Sequence, residues 1–496
     1  MFSALLVFVI IIISLVYITW KKNALLPPGI WGWPIVGSLP SQEVSMVDQV
    51  KELRKWFGDI FMWRIGGRTY IFLCNYQLIK TALNKPELAN RPHLYSMDVF
   101  TNYVESGIVN VSGKLWQNSR RFALRHLKSL GMGKSTYESV IQQEVVSLIK
   151  NFQNLIGEPT LLPWSINVAV LNVIWRIVAD RRYEIDDEEI LHFQELLGKT
   201  LENVSPIIAL CDLLPWLPKI VPDAVIRWLG ADEYLAIAQQ SLDFMMDVIK
   251  EHQLVLDTEN PRDYIDYYLI EMERQKEDPQ STMSIIDLAS GLQDLFIAGS
   301  ETTSSTIRWA IFYIAKHQDV QKKVHEEIDS VVDRNTLPSL EHRDRLPYLD
   351  AVTREVQRLV SLVALSLPHC AAEETMLEGF RIPKDAVIMT SLECCHTDPN
   401  LWKNPDEFYP EHFLDQDGRL LAKKEGYLPF SIGKRVCPGE SLAYMELYLF
   451  LGGILQNFHF ALPEGEDLNP KRNPKDRFIN APKPYKVIIS KRECTS

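Results

Sequence analysis

The stretch YLPFSIGKRVCPGESLAYMELYLFLGGIL, residues 427–455, governs the reading of the whole chain. Cys437 lies between Gly433 and Gly439, with Phe430 upstream and Arg435 two residues before it. From Glu440 to Leu455 the pattern predicts a helix, so the cysteine stands just before a helix N-terminus. Unpaired N–H groups and the positive end of the helix dipole stabilise a thiolate there. Glycines let the backbone come close to a flat cofactor and adopt loop conformations closed to other residues. Phe430 is placed to cover the sulfur, and Arg435 to pair with an anionic group on the cofactor's edge. The competing reading is a buried structural cysteine, the commonest fate of a lone Cys.

The remaining cysteines suggest no other chemistry. Cys74, Cys211, Cys370, Cys394, Cys395, Cys437 and Cys494 make an odd set with irregular spacing and no Cys-x-x-Cys pair. That pattern gives neither a disulfide framework nor a zinc site, and it fits a reducing compartment such as the cytosol. With 496 residues, 46% hydrophobic and 10% aromatic, the chain has ample material for a sizeable core. A formal net charge of −12 with no long basic stripe argues against a nucleic-acid binder. No internal repeat or low-complexity run is present.

Phe430, Gly433, Arg435, Cys437 and Gly439 match the F-x-x-G-x-R-x-C-x-G signature of cytochromes P450, and the chain resembles that family. The resemblance implies that Cys437 is the axial ligand of a haem b (iron protoporphyrin IX) iron. Four further stretches fit. Ala298-Gly299-Ser300-Glu301-Thr302-Thr303 matches the family's A/G-G-x-D/E-T-T/S pattern. Small side chains at Ala298 and Gly299 leave room beside a helix, and Glu301 and Thr302 supply an acid and a hydroxyl for proton delivery. A Thr hydroxyl can also bond its own backbone and open the helix locally. Glu355 and Arg358 share a helical face, and in the family such a pair joins an arginine from a P-x-R-F segment. Here that segment is Pro410-Glu411-His412-Phe413, so a histidine replaces the third cation. Trp116 and Arg120, four apart on a helix, suit the haem propionates, with His369 and Arg435 as the other expected partners. Finally, residues 120–134, 260–266 and 481–486 look like the animal microsomal branch that metabolises drugs and steroids.

From Phe2 to Trp20 no side chain is charged, and Lys21-Lys22 follow directly. Nineteen residues at about 1.5 Å each span roughly 28 Å, close to a bilayer's hydrocarbon thickness. Residues 1–22 therefore read as a transmembrane helix that anchors the chain in the endoplasmic reticulum membrane. The catalytic domain then lies on the cytoplasmic face by the positive-inside rule. The rival, a cleaved signal peptide, lacks a clear cleavage site. Residues 23–44, rich in proline, predict a semi-rigid hinge, and residues 45–496 a single haem-binding catalytic domain. The expected fold is mainly α with a small β component, the cytochrome P450 fold. Its longest helix begins near Ser284, which with Asp287 offers an N-cap and an early acid. Short β-rich stretches fall at Phe61 to Leu73 and Tyr485 to Ile489.

No G-x-G-x-x-G in a strand-turn-helix context is present, so electrons must come from a separate protein. The family implies NADPH-cytochrome P450 reductase, with cytochrome b5 as a second donor. Arg120, Arg121, Arg125, Lys128, Lys134, Lys423, Lys424, Lys434 and Arg435 offer either a docking face for an acidic flavoprotein or a plain solvated face. Residues 211–230 are either a second membrane contact or core. Family position marks Tyr95 to Val109, Asp294, Ala298, Val363 to Leu367 and Phe478-Ile479 as lining an apolar pocket for a lipophilic small molecule. The leading expectation is a monooxygenase that hydroxylates or epoxidises such a molecule with O2. A haem-thiolate isomerase or dehydratase is disfavoured by Glu301-Thr302, and a haem-binding carrier or sensor is the non-catalytic alternative.

Overall fold

The computed structural model describes residues 25–33, 36–101, 103–202, 205–467 and 479–492. The anchor expected over 1–22, Pro34 of the hinge and Phe478 lie outside these. Among the described residues no helix is long and apolar enough to cross a membrane.

Helices dominate, and eight of them build the site: α1 (Gly113–Ser129), α2 (Glu138–Gln153), α3 (Ser165–Ala179), α4 (Asp232–Leu254), α5 (Tyr264–Arg274), α6 (Ile285–Lys316), α7 (Pro347–Val360) and α8 (Glu440–Asn457). The 32-residue α6 starts where the sequence predicts, with the Ser284 hydroxyl accepting the Asp287 N–H at 3.1 Å. It spans about 48 Å at 1.5 Å per residue. Helices α3, α4, α7 and α8 all pack against it. A central helix must be apolar on nearly every side. Accordingly, Leu292, Phe296, Trp309, Ile311, Phe312 and Tyr313 are buried around its circumference. Helices α3 and α8 are likewise buried almost throughout, so these three form the floor of one large core.

The sheet component is small. β1 (Gly29–Ile30), β2 (Ile60–Ile65), β3 (Arg68–Leu73), β8 (Val387–Thr390) and β5 (His369–Cys370) form one mixed sheet in that order. The predicted 61–73 stretch is a hairpin whose Gly66-Gly67 turn pairs Ile65 with Arg68. Gly66 has φ +58°, and a Cβ there would stand 2.0 Å from Leu213 O, so only glycine lets residues 213–216 sit against the hairpin. The predicted C-terminal strand is β10 (Lys486–Lys491), paired with β9 (Phe458–Ala461) and β4 (Thr160–Leu161). The described part of the proline-rich segment is fastened to this frame. Met62 N donates to Pro28 O, and Ser38 N to Arg64 O, each at 2.8 Å.

Candidate active site

The cysteine loop is shaped by one glycine. Gly433 has φ +82°, and a Cβ there would lie 2.2 Å from Leu83 O. With that contact made, residues 433–435 form a single 3-10 turn, and Cys437 N donates to Phe430 O at 3.0 Å. Gly439 then caps α8, where an added Cβ would sit 3.9 Å from the Cys437 sulfur. Burial pushes the Cys437 thiol up, while the Gly439 and Glu440 N–H groups and the Arg120 charge pull the other way. The free thiol is thus protonated, and a bound metal cation would convert it to thiolate. The Phe430 ring packs edge-on against Tyr444, with centroids 5.0 Å apart.

Around this loop the fold gathers positive charge. Arg435 is buried and donates Nε–H to Ala89 O at 2.9 Å and Nη2–H to Val111 O. Its guanidinium lies over the Trp116 ring, 3.9 Å from the centroid. Arg120, one turn further along α1, donates to Val436 O beside the cysteine. Arg91 donates to Val109 O at 3.1 Å and to Pro368 O at 2.9 Å. His369, on β5, is buried with Nδ1 against Leu88 O at 2.9 Å. Burial and the repulsion of Arg91 and Arg120 push Arg435 down to about 8. Burial and Arg120 push Arg91 down to about 10. Burial, then Arg91, push His369 down to about 3.

Three guanidiniums hydrogen-bonded only to carbonyl oxygens, with the Asp294 field on Arg91 alone, beside a buried Trp116 indole N–H without a partner, are an undercompensated arrangement. An anionic group with several acceptor oxygens would satisfy all of them. The two propionates of a haem whose iron takes the Cys437 sulfur fit that requirement. Trp116, Arg120, His369, Arg435 and Cys437, far apart in sequence, lie close to one another here. Arg91 was missed: an arginine before Pro92 carries no signature, and long-range bonds such as Cys370 N to Asn90 O at 2.7 Å draw it in.

On α6, the Thr302 hydroxyl donates to Ala298 O at 2.7 Å, as a threonine in mid-helix is expected to do. The helix nevertheless stays continuous through this turn. Glu301 Oε1 accepts from Asn167 Nδ2 on α3 at 3.2 Å. Gly299 needs correction. A Cβ on it would meet Ile174 Cδ1 of α3 at 2.5 Å, so its missing side chain serves helix packing, not a ligand. Asp294 also fixes a neighbouring loop. Its carboxylate accepts the Ile108 and Val109 N–H groups at 2.7 and 2.9 Å, which clamps that loop onto α6. Burial pushes it up to about 6.

The Glu355–Arg358 pair is fully buried. Arg358 Nε and Nη2 reach both Glu355 oxygens at 2.8 and 2.7 Å, and Nη1 donates to His396 O and Pro405 O at 2.7 Å each. His412 Nδ1 lies 3.2 Å from both Glu355 oxygens. At the surface, Arg121, Arg125, Lys128, Lys134 and Lys434 are exposed. The 131–134 loop touches the start of α8, where a Cβ on Gly133 would lie 2.3 Å from Ser441 Oγ. The two basic stretches thus flank the cysteine loop together. In the 211–230 segment, Cys211, Leu214 and Ile226 are buried, while Ile220, Val225, Trp228 and Leu229 are exposed.

A thiol at a helix N-terminus inside a cradle of cations defines a haem-thiolate protein, and the mainly helical fold with its small sheets agrees. Comparison with known proteins adds the family. The family model for cytochrome P450 matches residues 27–489. Cytochrome P450 2L1 of Panulirus argus is 50% identical over 479 residues, 96% of this chain and 97% of that one. Cytochrome P450 2C25 of Mesocricetus auratus is 36% identical over 498 residues, 98% of this chain and 99% of that one. Cytochrome P450 2C16 of Oryctolagus cuniculus is 37% identical over 463 residues, 91% and 92% of the two chains. The chain belongs to the cytochrome P450 family. It is a haem-thiolate monooxygenase that binds iron protoporphyrin IX, draws electrons from a redox partner and acts on lipophilic substrates.

Proposed function

We propose that this enzyme is anchored in the endoplasmic reticulum membrane by residues 1–22 and inserts one atom of O2 into a lipophilic substrate by hydroxylation or epoxidation. The proline-rich stretch 23–44, part of which is tied to the domain's sheet, joins the anchor to a cytoplasmic catalytic domain, 45–496. The observation that carries the catalytic reading is Cys437 at the start of α8 beside the Arg91–Arg120–Arg435 cluster. Haem, when bound, supplies the oxygen chemistry. The chain's own residues do the rest. Cys437 and Gly439 hold the sulfur side, with Phe430 beside it. Trp116, Arg120, His369 and Arg435, together with Arg91, would hold the propionates, and Ala298 on α6 would line the cofactor's space. Glu301 and Thr302 hold and hand on protons there.

Electrons come from NADPH-cytochrome P450 reductase, with cytochrome b5 as a second donor. Support comes from the exposed lysines and arginines beside the cysteine loop, which suit an acidic partner. Membrane contact is supported by apolar side chains on two segments tied to one hairpin. Trp31, Trp33 and Leu39 belong to the segment bonded to β2, and Ile220, Trp228 and Leu229 follow the segment packed on Gly66. Reduction of the purified protein under carbon monoxide should give the red-shifted Soret band of a thiolate-ligated haem, absent in Cys437→Ala. An ordinary Soret position in haem-loaded wild type would sink the thiolate assignment. Turnover with the reductase and NADPH then separates a monooxygenase from a peroxide-rearranging enzyme or a sensor.

A further inference from the structure

Helix α3 is buried along nearly its whole length, so each of its polar side chains needs a partner inside the protein. Asn172 finds structural ones: it donates to Glu144 Oε2 at 3.1 Å and to Tyr183 O at 2.8 Å. Asn167 is different, because its partners sit on the turns of α6 that carry Glu301 and Thr302. Its amide nitrogen donates to Glu301 Oε1 at 3.2 Å and to Ser304 Oγ at 3.1 Å. Its amide oxygen accepts from Arg308 Nη2 at 2.9 Å. Glu301, Ser304 and Arg308 are spaced three and four residues apart, along one face of the helix. One amide orientation satisfies all three bonds, so Asn167 is held with its donor on an acid and its acceptor on a cation.

Arg308 is itself unusual. Its other hydrogen bonds go to Leu162 O at 3.1 Å and Pro163 O at 2.9 Å. Its guanidinium lies 5.5 Å from the ring centroid of Trp164, which is 65% exposed. Burial lowers its proton affinity, opposed by the fields of Tyr485 and Glu301. The ionisable groups acting on Arg308 include Glu301 on α6 and Tyr485, whose hydroxyl donates to Arg308 O. A cation that reaches an acid through a polarised amide favours the acid's charged form.

We propose that Asn167, fixed by Arg308, is a positioning residue that orients the Glu301 carboxyl and couples its charge to Arg308, so tuning proton supply at Thr302. This rests on the reading of Glu301–Thr302 as the proton-supplying turn. The test uses the haem-loaded full chain and two readouts. Infrared spectra follow the C=O stretch of protonated Glu301 against pH, the band being assigned by its loss in Glu301→Gln. Turnover with reductase and NADPH gives product and hydrogen peroxide per NADPH, with KM and kcat measured separately.

In Asn167→Leu and Arg308→Gln the Glu301 protonation midpoint should move up. Product per NADPH should fall roughly tenfold, a modest share of what general acid–base groups contribute, with KM and the carbon monoxide band unchanged. Arg308→Lys, which keeps the charge, should stay near wild type. If the midpoint is unmoved in the two disruptive variants, or kcat and KM change together, Asn167 merely packs α3 on α6 and the proposal fails. If Asn167→Leu does not fold, Arg308→Gln at the partly exposed end decides alone. If the midpoint moves while Glu301→Gln itself leaves product yield intact, the charge coupling stands and the proton-supply reading falls.

Discussion

His412 has acceptors on both ring nitrogens: the Glu355 carboxylate at Nδ1 and Lys403 O at Nε2. The ring therefore bridges Glu355 and Lys403 O in the place of the family arginine. His412→Arg should retain haem and melt near the wild type, whereas His412→Ala should lose about 1–3 kcal/mol of stability by stranding part of a buried carboxylate. Denaturant unfolding with the haem spectrum as signal measures both. A folded but haem-free His412→Arg protein would overturn the assignment. At this scale the sequence named the residue and its neighbours. The bridge depended on where Lys403 O falls, which no motif encodes.

Between elements, the contact of α6 with α8 contains a second consequence. Glu446 lies in the middle of α8, buried, with Oε1 lacking a partner and its carboxyl hydrogen-bonded to Thr303 of α6. Burial pushes it up to about 8, so at neutral pH the folded protein holds this carboxyl protonated. The sign follows from proton counting. Between an ordinary glutamate value near 4.5 and about 8 the folded state binds more protons than the unfolded one. Stability is then greatest below that window and falls as pH rises through it, by at most about 1.4 kcal/mol per unit. Glu446→Gln should flatten this slope and stabilise the protein at pH 8–9 relative to wild type. Melting temperatures from pH 5 to 9 check it, and parallel curves for the two proteins would refute it. The helix containing Glu446 was legible from its apolar run. That this residue faces another helix instead of water was not, because α8 is buried on every side and its pattern marks no outer face.

Over the whole molecule, two separated surfaces carry opposite chemistry. The cysteine side presents lysines and arginines although the chain's net charge is −12. The side formed by the β2–β3 hairpin and residues 213–230 presents Trp228 at 81% and Ile220 at 69% exposure. If that side rests on lipid, Trp228→Ser with Ile220→Ser should weaken sedimentation of the protein with neutral phosphatidylcholine vesicles by roughly 30-fold or more, at about 1–2 kcal/mol per lost side chain. The carbon monoxide band should be unaffected. Binding unchanged in the double variant, in a chain lacking residues 1–22 so that the anchor cannot mask the effect, would remove this surface from the membrane.

What the sequence determined by itself was the chemistry that local spacing encodes. Five fixed positions around Cys437, the capped long helix with Glu301 and Thr302, and the Glu355–Arg358 pair all depend on contacts within a few residues. Tertiary structure alone decided the rest. Arg91 joins the cation cradle through strand pairing, Gly299 yields space to Ile174 on another helix, and Asp294 holds a loop almost two hundred residues away in sequence. Asn167 meets Glu301 because α3 lies across α6. The physical reason is the same in each case. A buried polar group or a missing side chain takes its meaning from the atom opposite, and that atom comes from a distant part of the chain.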